Sequence, residues 1–145
     1  MRYFDFESAL VRRLEAATND EERWTARTVV SKEEFGPAAG RAGLRVLQPG
    51  DNFELPVGPF LIIGVATWSD PDIAALDSAV DRIRAGCIPT CVFDIDERQS
   101  SSDMHMLLPQ TGMHPTRTPI FAYYMDGKLQ TFGQGHDALH WLQQL

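Results

Sequence analysis

Cysteine is scarce in this chain, with two residues, Cys87 and Cys91, among 145. Two thiols four positions apart cannot staple a domain of this length, so an apolar core has to hold it. A single domain of this size buries about two-thirds of the surface that its unfolded form exposes. No apolar run approaches the ~20 residues of a membrane span. The N-terminus carries Asp5 and Glu7 where a signal peptide has basic residues and an apolar core, so the expected compartment is the cytoplasm. Basic residues are short as well, 13 Lys and Arg against 20 Asp and Glu for a net charge of −7. The shortfall is local: residues 1–50 carry eight of each sign, whereas residues 51–145 carry five basic and twelve acidic side chains. Phosphate binding needs clustered Lys and Arg, which excludes nucleic acid as a partner. The acidic excess serves solubility or faces a basic partner.

What is present is organised around residues 60–85. Residues 61–66 read as an apolar strand, and Trp68, Ser69, Asp70, Pro71 and Asp72 form a tight corner. A helix follows in which Ile73, Leu76, Val80 and Ile83 share one face, with Gly86 as its C′ residue. Ser69 and Asp72 have the spacing of a capping-box variant, the serine accepting a backbone N–H and the acid reaching back to the Ser69 N–H. Residues 90–95 read as a buried strand, Ser100 to Ser102 open another helix stopped by Pro109 and Gly112, and residues 120–124 and 128–132 form a hairpin around Asp126 and Gly127 before a last helix.

Upstream, residues 5–18 suit a helix capped by Asp5 with Phe6, Leu10, Leu14 and Ala17 on one stripe. That stripe has to dock on its own domain, on a second copy or on a partner, and self-association through it is left open. Residues 25–30 are expected to be the first strand, and Ser31 with Glu34 forms a capping box that opens a helix. Gly36, Pro37, Gly40 and Gly43 imply that this helix is short or broken. Residues 44–47 read as a strand before a turn at Pro49 and Gly50, within a loop-rich excursion over residues 36–58.

The corner resembles the active site of the thioredoxin superfamily, where a strand ends in Trp-Cys-Gly-Pro-Cys. Trp68 and Pro71 match, while Ser69 and Asp72 stand at the two cysteine positions. Thr118 and Pro119, the hairpin and the last helix resemble the family's cis-proline, closing hairpin and C-terminal helix. The resemblance covers residues 25–145 and implies an α/β thioredoxin-like fold, a central mixed sheet flanked by helices. Residues 1–24 are then an extra N-terminal helical extension. It also places the family's buried acid on Ile63 and its neighbouring lysine on Val92, removing a proton relay along with both thiols.

Thiol–disulfide exchange needs an attacking thiolate and a resolving sulfur, so this chain is expected to lack that activity. The resemblance implies a redox-inactive binding module: an adaptor, chaperone or structural subunit taking a protein or peptide partner. In the family the residue before the cis-proline pairs its backbone with an extended peptide. That role falls on Thr118, with Trp68, Pro71 and Pro119 as apolar walls and Ser69, Asp70 and Asp72 beside them. The alternative is a thiol-dependent or glutathione-binding enzyme, in which Ser69 would stabilise a bound thiolate. Cys87 and Cys91 lie at the far end of the helix, roughly 20 Å from Trp68, and read as buried or unpaired thiols, with a disulfide across the turn the other option. Met104, His105, Met106, Met113 and His114 have soft donors that suit copper, but their helical spacing favours core and surface roles, and His136 and His140 lack a third ligand. No metal site and no cofactor are therefore expected.

Overall fold

The computed structural model describes residues 3–47, 54–96 and 117–145. In chain order the elements are α1 (Glu7–Ala16), α2 (Asp20–Arg41), β1 (Arg45–Val46), β2 (Pro59–Val65), α3 (Asp70–Ala85), β3 (Thr90–Asp94), β4 (Ile120–Met125), β5 (Lys128–Gln134) and α4 (His136–Gln143). The strands form one mixed sheet in the order β1-β3-β2-β4-β5. Strand β3 runs parallel to β1 and β2, β4 is antiparallel to β2, and β5 is antiparallel to β4.

Strand β2 is apolar throughout because both of its faces are covered. Leu61, Ile63 and Val65 join Phe35 and Ala38 of α2, Leu76 and Val80 of α3, and Leu142 of α4 in one cluster. Phe60 and Ile62 alternate to the other side with Phe93, Ile120 and Tyr124. At Gly64 an added Cβ would lie 2.5 Å from Phe93 Cζ, so β2 and β3 admit no side chain there. Ile63 and Val92 are register partners across β2 and β3 and fully buried, an apolar pair where the resemblance places an acid and a lysine. No helix among the described residues is long and apolar enough to cross a membrane.

The N-terminal third departs from the sequence reading. Residues 25–30 lie inside the 22-residue helix α2 instead of forming a strand. The helix starts at Asn19, whose side chain accepts the Glu22 N–H at 2.8 Å, with Asp20, Glu21 and Glu22 in the favourable first turn. Its buried residues Ser31, Phe35 and Ala38 recur at +4 and +3, with Ala42 buried a turn further on, and that tertiary burial overrides the strand preference of Thr28, Val29 and Val30. Ser31 opens no helix: its hydroxyl donates to the Arg27 carbonyl at 2.5 Å, one turn back. Nor is the helix broken at Pro37, so the excursion expected from residue 36 begins only after Arg41. A helix-interior proline costs about 3 kcal/mol, which burial of Phe35, Ala38, Ala39 and Ala42 around it offsets. Helix α2 also runs unbroken through residues 24 and 25.

Smaller corrections concern helix ends. Helix α1 begins at Glu7 with Phe6 at the cap, and Asp5 instead accepts the Glu7 N–H at 3.0 Å. It docks along α2, where Arg13 pairs with Glu33 at 3.2 Å. At the C-terminus of α3, Gly86 keeps a right-handed φ of −83°, and Cys87 takes the left-handed place with φ 50°. The Ile88 N–H donates to Ile83 O and the Cys87 N–H to Arg84 O, both at 3.1 Å, completing a Schellman motif with a cysteine where glycine is usual. Strand β1 falls within the expected residues 44–47. The expected helix from Ser100 to Pro109, with Met104, His105, Met106, Gly112, Met113 and His114, and the turn at Pro49 and Gly50 lie outside the described residues.

Candidate functional site

The corner is built where β2 gives way to α3. The Ser69 N–H donates back to Ala66 O at 3.0 Å, turning the chain, and α3 starts at Asp70 with Pro71 in its first turn, where no intrahelical N–H is needed. Ser69 occupies the cap position but accepts no backbone N–H, so the expected capping box does not form. Asp72 does not reach back to the Ser69 N–H either. Its Oδ2 accepts the Ala66 N–H at 2.9 Å, and the hydroxyls of Ser69 and Thr118 donate to the same carboxylate. Asp72 therefore ties together the end of β2, the start of α3 and the loop before β4.

That carboxylate is 2% exposed. Burial pushes its pKa above the ordinary carboxylate value, the Ala66, Thr118 and Ser69 hydrogen bonds pull it partly back down, and the negative charge of Asp96 raises it further. Burial inverts the capping logic: a solvated acid would reach for the nearest helix N–H, whereas this one is drawn to donors that leave no buried group unpaired.

Around it the sequence-predicted residues converge. Thr118 and Pro119 are joined by a cis peptide bond, as expected, and the Pro119 carbonyl accepts the Gly135 N–H at 2.8 Å, fixing the loop to the start of α4. Gly135 has φ 63°, and a Cβ there would lie 3.1 Å from Arg117 Cβ, so glycine suits both the backbone and the close approach. Trp68 is half-buried; its indole N–H donates to the Asp96 carboxylate beyond β3. Asp70 and Pro71 are exposed at the corner's outer edge.

Helix α2 supplies two residues that sequence reasoning missed. Trp24 lies against Trp68 with ring centroids 5.6 Å apart and planes at 54°, and Arg27, one turn later, forms an ion pair with Asp70. The signal available was Asn19 followed three residues on by Glu22, a helix start that would have put Trp24 and Arg27 on one face. Asp96 was visible only as part of an acidic turn.

No thiol lies at the corner. Cys87 is exposed at the end of α3, Cys91 is buried in β3, and neither is in a disulfide. A serine hydroxyl is not ionised near neutral pH, and Ser69 faces an acid already committed to three donors. His136 and His140 are exposed on α4, where the His140 ring meets the Gln144 amide at 3.0 Å. Among the described residues no three His, Cys, Asp or Glu side chains are placed to share a metal ion.

Strand order, strand directions, the β2–corner–α3 unit and the cis-proline facing it define a thioredoxin-like α/β fold. No family model matches the chain, and a search of curated proteins finds no match. Among solved structures it is similar to mitochondrial thioredoxin 3 from Saccharomyces cerevisiae, 18% identical over 71% of this chain and 96% of that one, with a TM-score of 0.48. A chain from a structure on thiol resolution of yeast mitochondrial 1-Cys peroxiredoxin via glutathione/thioredoxin systems is 21% identical over 70% of this chain and 95% of that one, TM-score 0.49. Fasciola hepatica thioredoxin is 11% identical over 78% and 91%, TM-score 0.44.

Proposed function

We propose that this protein is a redox-inactive, thioredoxin-like binding module, an adaptor, chaperone or structural subunit of the cytoplasm. Its working domain includes α2, which carries Trp24 and Arg27, and α1 is an N-terminal extension packed on it. It takes an extended segment of a partner protein across the Trp68 corner, beside Thr118 and Pro119. The observation that carries this reading is Asp72: the position of a resolving cysteine holds a buried acid bonded to Ala66, Thr118 and Ser69. Such an acid stiffens a binding surface and cannot carry electrons. Asp96, exposed at the edge of the corner beside Trp68, favours a basic residue in that segment. The glutathione-dependent alternative needs an uncommitted Ser69 hydroxyl, and its bond to Asp72 counts against that.

The test is capture from the source organism by wild-type protein, by Trp68→Ala, and by a variant carrying Cys87→Ser and Cys91→Ala. A partner held by wild type and by the cysteine variant, and lost with Trp68→Ala, supports the reading. A partner that ignores Trp68, or that is recovered only as a mixed disulfide, overturns it.

A further inference from the structure

A second concavity lies beneath α1, bordering the Trp68 corner at Arg27 and Asp70. The stripe of this helix is only half covered: Phe6, Leu10 and Leu14 keep intermediate exposure. Phe4, just ahead of them, is 2% exposed against Phe35, with ring centroids 5.8 Å apart. The space left between α1, α2 and the first turns of α3 is a cavity of about 340 Å³. That volume falls at the small end of the range for small-molecule sites.

Its walls are Phe4, Phe6, Leu10, Val30, Ile73 and Ala74. Thr67 also lines it, and the buried Thr67 hydroxyl has no partner among the described residues. The charged groups around the cavity are Asp5, Glu7, Asp70 and Arg27. Arg27 is paired with Asp70, which leaves Asp5 and Glu7 as the uncompensated charge. An apolar chamber under two acids repels carboxylates and phosphates and suits a cation on an apolar body.

We propose that this cavity binds a small primary amine with an aromatic or aliphatic body, the body seated among Phe6, Leu10, Val30 and Ile73 and the ammonium held at Asp5 and Glu7. The cavity shares Arg27 and Asp70 with the edge of the Trp68 corner, but the proposed ligand touches neither Trp68 nor Thr118, so peptide binding and amine binding are read out separately.

The experiment is titration of the full-length protein with phenethylammonium, alongside phenethyl alcohol and hydrocinnamate as neutral and anionic counterparts, followed by backbone amide shifts. Each exposed acid contributes little, but it attracts the cation and repels the anion, and there are two of them. The amine should therefore bind about tenfold more tightly than hydrocinnamate. Shifts should centre on Leu10, Val30, Thr67 and Ala74. Asp5→Asn with Glu7→Gln, both at exposed positions, should erase the preference for the amine while the protein stays folded. Ala74→Phe, which fills the cavity from an exposed position on α3, should abolish binding of all three. Absence of saturable binding, equal affinity for amine and carboxylate, unchanged preference in the Asp5/Glu7 variant, or shifts confined to Trp68 and Thr118 would overturn the proposal.

Discussion

Replacing Asp72 by alanine removes the acceptor from a buried backbone N–H. Ala66 is fully buried, and its amide donates to Asp72 Oδ2 at 2.9 Å. An orphaned buried donor costs about 1–3 kcal/mol, and the hydroxyls of Thr118 and Ser69 lose their acceptor as well. Against this stands relief from holding a carboxylate where burial disfavours its charge. Asparagine separates the two effects, because its amide oxygen keeps accepting from Ala66 while the charge is gone. Asp72→Ala should lose about 1–3 kcal/mol at neutral pH, and Asp72→Asn should lose less or gain. The sign of the pH dependence follows from a folded-state pKa raised above 3.8. Between that value and the folded pKa the native state holds a proton that the unfolded chain has released. The stabilising contribution of Asp72 is therefore full below the unfolded value and is lost as pH rises through the folded pKa. Urea unfolding of wild type and both variants across a pH series, from acidic to neutral, measures it. The advantage of Asp72→Asn over wild type should grow with pH through this window and then level off. Equal midpoints for the alanine and asparagine variants at neutral pH, or a difference between asparagine and wild type that ignores pH, would refute the reasoning.

Three other perturbations address the rest of the molecule. Cys87→Gly should raise the melting temperature with a gain of about 0.5–1 kcal/mol, since a left-handed L-residue costs about 1–2 kcal/mol and glycine returns part of that as chain entropy; a loss of stability would contradict the left-handed φ of 50°. Deleting residues 1–19 should lower the melting temperature and leave the mass monomeric by light scattering, because Phe4 is buried against Phe35 and the Tyr3 and Phe4 N–H groups donate to Asp77; a changed mass with unchanged stability would make α1 an assembly device. Insulin reduction with dithiothreitol as electron source should stay at background for wild type, and turnover that survives loss of Cys87 and Cys91 would rule the redox-inactive reading out.

Much of this fold is legible locally. The β2 run, the helical spacing of Ile73, Leu76, Val80 and Ile83, and the turn at Asp126 and Gly127 each announce themselves within a dozen residues. The cis bond at Pro119 is legible only through the resemblance to the thioredoxin superfamily, and the hairpin of β4 and β5 from its two strand segments and the turn between them. Helix α2 was illegible for a physical reason. Its β-branched residues and internal Gly36, Pro37 and Gly40 argue locally for a strand and a break, and only burial against the core makes them helical. At the corner, Trp24, Arg27 and the role of Asp96 were not read from the sequence, and the wiring was illegible. Trp68, Asp72 and Thr118 could be named from the sequence, but the ties of Arg27 to Asp70 and of Trp68 to Asp96 join residues 43 and 28 positions apart, beyond any local pattern. Asp72 misled because capping rules presume a solvated carboxylate.

Peptide capture at a corner that needs no thiol is tested most directly with a peptide selected on the wild-type protein from a random display library. Its affinity and the backbone shifts it induces are then measured for wild type, for Trp68→Ala, and for the Cys87→Ser, Cys91→Ala variant. Shifts centred on Trp68, Ser69 and Thr118, a loss of about tenfold or more with Trp68→Ala, and undiminished binding without the cysteines are the predicted result. Binding indifferent to Trp68, or dependent on either cysteine, would contradict it.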